Sequence, residues 1–202
     1  SISPTRGTCR RSGNSSSISL VTGTIKVDVS TLEIVTAAGS ATASVSAGTP
    51  LELLVRAADA NKNIDKDYIG NHALIFSGLN PAGAYSPKIE NTALGLNITI
   101  GFSSGVTGTN AVTLLAYKKE ISPLVVQESG MAYGQSGLAL TVNSAAASAL
   151  SLVSGNNQTG RTSLQLAQSF IAGVSDTYGN AGGAGTGGDF AIFSQPSGAT
   201  GT

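Results

Sequence analysis

LELLVRAADANKN, residues 51–63, and QSFIAGVSDTYGN, residues 168–180, are two versions of one phrase. Each runs as apolar residues, then Asp, then three residues, then Asn, and the two aspartates, Asp59 and Asp176, stand 117 positions apart. The same interval separates ALIFS (73–77) from FAIFS (190–194), while LEIVT (32–36) and LSLVS (150–154) lie 118 apart. Three blocks in one order at nearly constant spacing mark an internal repeat of just under 120 residues. Repetition of that kind constrains architecture before any single residue does.

The first copy reads as a series of strands. TLEIVTA opens it, and SVSAGTPLELLVRAAD (44–59) predicts one long alternating strand with Leu51, Leu53 and Val55 on one face. HALIFSG, LNITIGF with Leu96, Ile98 and Ile100, AVTLLAY and PLVVQES follow, and GLALTVN closes the copy with Leu138, Leu140 and Val142. About seven strands with no convincing amphipathic helix predict a β-sandwich, in which every second side chain of an antiparallel sheet points into the core. The second copy supplies only ALSLVSG, SFIAGVSD and DFAIFSQ. Ahead of the first copy, SISLVTGTIKVDVS (17–30) alternates at Ile18 and Leu20 and again at Ile25, Val27 and Val29. Its VDVS runs into TLEIV much as TVNS leads to ALSLV, so the segment reads as the last strand of a preceding sandwich.

Composition agrees with an all-β chain and narrows what it does. Of 202 residues 26 are Gly, 11% are charged and 5% aromatic, with one His and no Trp. Small and β-branched residues dominate the balance, which favours short strands and Gly-rich turns. A net charge of zero carries no footprint for nucleic acid or an anionic membrane. No apolar run approaches the roughly 18 residues that span a bilayer. No charged-then-apolar segment opens the chain, which reads as a mature or excised form. The single cysteine, Cys9, cannot form an internal disulfide and lies in a polar basic stretch, TRGTCRRSG, as a free thiol or an intermolecular bridge.

AGTPLELLVRAADANKNIDKDYIGNHALIFSG resembles the start of the immunoglobulin-like repeats of prokaryotic surface proteins, with their A-G-T-P, apolar strand, D-A-x-x-N turn and Y-x-G. ALSLVSGNNQTGRTSLQLAQSFIAGVSDTYGN is similar to the invasin-like variety, with S-G-x-x-Q-T-G and V-x-D-x-x-G-N. The resemblance covers about 31–202 and implies an immunoglobulin-like sandwich in an extracellular, cell-surface protein. Such repeats serve as stalks, spacers, adhesive units or filament subunits. The second copy departs from the pattern in lacking its later strands.

Candidate chemistry is sparse. Asp59, Asn61, Asn63, Asp65 and Asp67 alternate as the oxygen ligands of a calcium loop do, yet Ile64 takes the sixth position, where an EF-hand needs Gly, and Gly70 stands where its bidentate Glu belongs. The second copy keeps Asp176 and Asn180 but not the alternation, so a recurring Asx-type turn is the first reading and calcium the second. Lys26, Asn143 and Glu52 are residue types that could make an isopeptide cross-link, although nothing local fixes their proximity. His72 reads as a solitary strand-edge residue without metal-ligand spacing. There is no G-x-S-x-G elbow, and GGAGTGGD (182–189) lacks the Lys-Ser/Thr of a phosphate loop. KKE (118–120) reads as a solvated turn, and no enzyme is expected. Sequons at Asn14, Asn97 and Asn157 are candidate glycosylation sites. Tyr68, Tyr85, Tyr117, Tyr133 and Tyr178 are scattered, a thin basis for a glycan site.

These readings define a tail with a candidate donor strand (1–30), one complete immunoglobulin-like sandwich (31–144) and an incomplete one (145–202). A groove lined by Phe170, Ile192 and Phe193 would accept Ile18, Leu20, Ile25, Val27 and Val29 from a neighbouring subunit. The expected function is an extracellular filament or stalk subunit polymerising with copies of itself. The alternative is an adhesin module from a longer tandem array, contacting a cell surface or glycan.

Overall fold

The computed structural model describes residues 31–108, 112–131, 134–161 and 164–182, and all regular structure among them is β. The chain divides into two compact units between Asn143 and Ser144.

The first unit contains β1 (Thr31–Thr36), β2 (Thr42–Ser46), β3 (Leu51–Ala58), β4 (Gly70–Ser77), β5 (Lys88–Ile89), β6 (Thr92–Ala93), β7 (Asn97–Ser103), β8 (Val106–Thr107), β9 (Val112–Leu115), β10 (Glu120–Glu128), β11 (Gly134–Ser136) and β12 (Leu138–Asn143). One run of pairing is β2-β12-β10-β4-β7, another is β1-β3-β9-β5, and β8 links them by pairing with both β7 and β3. β1 lies against β10 and β12 without pairing to either, so the two runs face each other as the layers of a sandwich-like fold. Period-two alternation supplies the filling. Leu32 and Ile34 of β1, Leu53 and Val55 of β3, Leu74 and Phe76 of β4, Leu124 and Val126 of β10, and Leu138, Leu140 and Val142 of β12 are all buried.

Three expectations are corrected. The single strand over residues 44–59 is two strands, β2 and β3. Gly48 adopts φ +76° and its N–H donates to the carbonyl of Ala116, while Pro50 has no N–H for a ladder, so the chain leaves one layer and enters the other at Ala47–Pro50. The sheets are also mixed rather than antiparallel throughout. β1 pairs in parallel with β11, and β2 in parallel with β12, because the chain that ends the unit runs alongside the chain that begins it. KKE is a turn only in part, since Glu120 starts β10, and its carboxylate accepts the N–H and side-chain amide of Asn80, both at 2.8 Å.

The second unit, as described, is an antiparallel pair, β13 (Ala147–Ser154) and β14 (Ile171–Asp176). Between them Gln158 clamps the connecting loop. Its side-chain amide donates to the carbonyls of Gly155 and Gln168, and its carbonyl accepts the Gln168 N–H at 2.8 Å.

The end of β4 offers a direct check of the packing. Gly78 holds φ +108°, and a Cβ there would collide with the Pro123 carbonyl of β10. Gly83 also has positive φ but nothing near a would-be Cβ. Gly78→Ala should cost more than about 2 kcal/mol and Gly83→Ala about 1 kcal/mol in urea unfolding.

Candidate functional site

The repeated phrase builds the same object twice. In the first unit Asp59 Oδ1 accepts the N–H groups of Asn61 and Asn63, both at 2.8 Å, and Oδ2 accepts the Asn63 side-chain amide at 2.9 Å. In the second, Asp176 Oδ1 accepts the N–H groups of Tyr178 and Asn180, both at 2.9 Å, and Oδ2 accepts the Asn180 side-chain amide at 2.8 Å. The backbone follows. Asp59 N–H donates to Asn63 and Asp176 N–H to Asn180, and the residue of positive φ is Lys62 in one copy and Gly179 in the other. A short acceptor side chain that bonds backbone two and four residues on is what Asp contributes to such turns.

This occupies both carboxylate oxygens of Asp59, the first ligand of the calcium reading. Asp59 points its carboxylate into its own turn, and Asp65 Oδ1 accepts the Asp67 N–H at 2.9 Å. Among the described residues no group of three or more His, Cys, Asp or Glu is arranged to hold a metal ion. The hydrogen bonds from Asn63, first from its side chain and then from its backbone, hold the Asp59 carboxyl below its ordinary range. For Asp176, burial pushes the carboxyl up, but the Asn180 amide and the N–H groups of Ala145, Asn180 and Tyr178 outweigh it and the net displacement is downward.

Strand register extends the equivalence beyond the turn. Leu32 sits opposite Ala57 and Ile34 opposite Val55 in β1–β3; Leu150 sits opposite Val174 and Leu152 opposite Ala172 in β13–β14. The repeat interval therefore maps Leu32, Ile34 and Leu53 onto Leu150, Leu152 and Phe170. Their surroundings differ. The first three are 0%, 1% and 1% exposed, whereas Leu150, Leu152 and Phe170 are 63%, 45% and 57% exposed. In the first unit β10 and β12 cover that face, whereas in the second Leu150 and Leu152 of β13 remain exposed. Val153 and Ile171, near a register shift, are exposed as well.

Of the other sequence-predicted residues, Ile18, Leu20, Ile25, Val27, Val29, Ile192 and Phe193 lie outside the described residues, as do Cys9, Asn14 and Lys26. Only Gly182 of the Gly-rich run lies within them. Asn97, at the start of β7, and Asn157, at φ +56°, are exposed. Asn143 donates its amide to Ser44 and Glu52 accepts the Thr113 hydroxyl, so the structure gives each a partner other than the other.

His72 is not the solitary strand-edge residue the sequence suggests. It lies on β4, between β10 and β7, with Nδ1 2.8 Å from Glu128 Oε1. Tyr68 donates its hydroxyl to Glu128 Oε2 at 2.8 Å and stacks on the imidazole with centroids 3.9 Å apart, and Phe102 meets both rings edge-on. Glu128 is 56 positions from His72, so no local spacing reveals the trio. Tyr85 and Tyr117 are brought together too, at 5.6 Å between centroids. Glu33, Arg56 and Lys62 rim a recess of about 220 Å³, with Lys62 3.9 Å from Glu33. Their repeat counterparts are Ser151, Gly173 and Gly179, so these charges are not part of the repeated object.

No family model, curated protein or solved structure matches the chain. The internal repeat is the comparison that relates β13, β14 and the Asp176 turn to β1, β3 and the Asp59 turn.

Asp176 is 2% exposed and accepts four hydrogen bonds, from Ala145, Tyr178 and twice from Asn180. Asp176→Ala should cost about 3 kcal/mol and accelerate amide exchange at Tyr178 and Asn180, while Asp59→Ala, whose donors can turn to water, costs less. Because the folded carboxyl titrates below the ordinary value of 3.8, the contribution of Asp176 is complete above that pH. It disappears as pH falls through the lower folded value. The protection factors of these amides, taken against the intrinsic exchange rate at each pH, should therefore fall in acid in wild type and stay flat in Asp176→Ala.

Proposed function

We propose that the protein is a structural subunit of an extracellular cell-surface filament or stalk, and that its function resides in head-to-tail assembly rather than catalysis. The observation that carries this reading is the exposed face of β13–β14, whose residues correspond one for one to buried core positions of the first unit. A face built to core specification and left in water is unfavourable, and paired strands with open edges invite strand addition.

The partner is another copy of the same chain. In the first unit the equivalent face is covered by late strands in which Leu138, Leu140 and Val142 alternate inward. The leading segment carries the same alternation at Ile25, Val27 and Val29. At ~25 cal/mol per Å² and roughly 100 Å² per side chain, five such residues supply on the order of ten kcal/mol before ordering costs, an upper bound. A contact between one surface of a subunit and a different surface of the next does not close on itself and propagates as a filament. The resemblance to immunoglobulin-like, invasin-type surface repeats supports the same setting.

A second reading, an adhesin module in a tandem array, draws on the Tyr85–Tyr117 pair, where Tyr85 is exposed and offers a sugar an aromatic surface. In that case the covering strands follow in the same polypeptide.

Sedimentation separates the two. Wild-type chain should form large species at micromolar concentration, and both Leu152→Asp and deletion of residues 1–30 should abolish them. Monomeric wild type, or polymers that survive both changes, would overturn strand complementation.

A further inference from the structure

The face of β1–β3 turned away from Leu32 and Ile34 carries charges that strand pairing alone does not arrange. Glu33 and Arg56 stand directly opposite each other in the register, where side chains of unlike charge ordinarily pair. Here no ion pair joins them. Glu33 lies 3.9 Å from Lys62 instead, and Arg56 reaches toward the β1–β2 connection, where its Nη2 would stand 3.2 Å from a Cβ placed on Gly39. Among the described residues no acceptor pairs with the Arg56 guanidinium.

The three side chains line the recess of about 220 Å³ together with Val35, Ala41 and Ile64. Lys62 is fixed at its rim by the Asp59 turn, with its N–H donating to the Asp59 carbonyl and its φ at +66°. The second copy of the repeat has Ser151, Gly173 and Gly179 at these positions, so the fold itself does not require the charges.

We propose that this recess binds a single hexuronate, the carboxylate-bearing form of a sugar ring. Two cations and one anion give the site a net charge of one positive unit, which a monocarboxylate balances. Arg56 offers the planar fork that holds a carboxylate through two parallel N–H bonds, and Lys62 adds a second, mobile donor. Glu33 accepts hydroxyl groups of the ring, while Val35, Ala41 and Ile64 supply an apolar lining for its C–H face. The same charges disfavour other ligands. A metal ion meets two cations, a phosphate dianion meets Glu33, and the ammonium of an amino acid competes with Lys62 for that one carboxylate. The volume lies below the roughly 300–1,000 Å³ of drug-sized sites and suits one ring. The site belongs wholly to the first unit and does not depend on assembly.

Saturation-transfer NMR with the full chain tests this, because the method tolerates particles of any size. D-glucuronate should bind with a dissociation constant on the order of a millimolar, and about tenfold more tightly than either D-glucose or acetate. Arg56→Gln should weaken glucuronate about tenfold and Lys62→Gln about threefold, while Glu33→Gln should erase the preference for glucuronate over acetate. Methyl glucuronide serves as a second probe: binding equal to that of the free acid supports a chain-end unit of an acidic glycan, and binding of the free acid alone supports a soluble sugar acid. Absence of transfer to glucuronate, equal affinity for acetate, or binding unchanged by Arg56→Gln overturns the proposal. Urea unfolding of each variant runs alongside. Should Arg56→Gln fail to fold, Lys62→Gln decides, since that side chain is 78% exposed: weakened binding supports the site and unchanged binding overturns it.

Discussion

An antiparallel strand pair has two faces, and a face made of leucine, valine and phenylalanine must meet another layer or remain in water at a cost. The protein contains the same pair twice. β1–β3 and β13–β14 share register from Leu150 to Leu152, the Asp-capped turn that ends the second strand, and the position of positive φ inside that turn. Their covering differs: Leu32 is fully buried while Leu150 is 63% exposed. The proposed assembly rests on that contrast.

Both the turn and the loop clamp make the second pair a ready template. Asp176 ties Ala145, Tyr178 and Asn180 together, and Gln158 holds the two ends of the connecting loop. Local hydrogen bonds of this kind set register without help from tertiary packing.

Much of this was legible in the sequence because repetition converts one copy into a reference for the other. All-β character, most strand positions in the first copy and the recurring Asp-x-x-x-Asn turn were readable from alternation and the interval of 117 residues. The break at Ala47–Pro50 was missed because Ala47 and Gly48 look compatible with a continuing strand, and the switch between layers is set by partners far away, Ala116 and Asn143. Parallel pairing of β1 and β2 was missed for a similar reason: alternation reports which face a residue takes and says nothing about strand direction. The trio of Tyr68, His72 and Glu128 depends on β4 lying beside β10, a non-local fact that spacing within one strand does not encode.

Amide exchange along β13 and β14, followed as a function of protein concentration, tests the central claim most directly. If another copy supplies the missing layer, protection of Ala149–Leu152 should rise steeply with concentration, while β1 and β3 remain protected at every dilution. Protection of β13 that is already complete in dilute monomer, or exchange that stays fast in concentrated chain, would contradict the account.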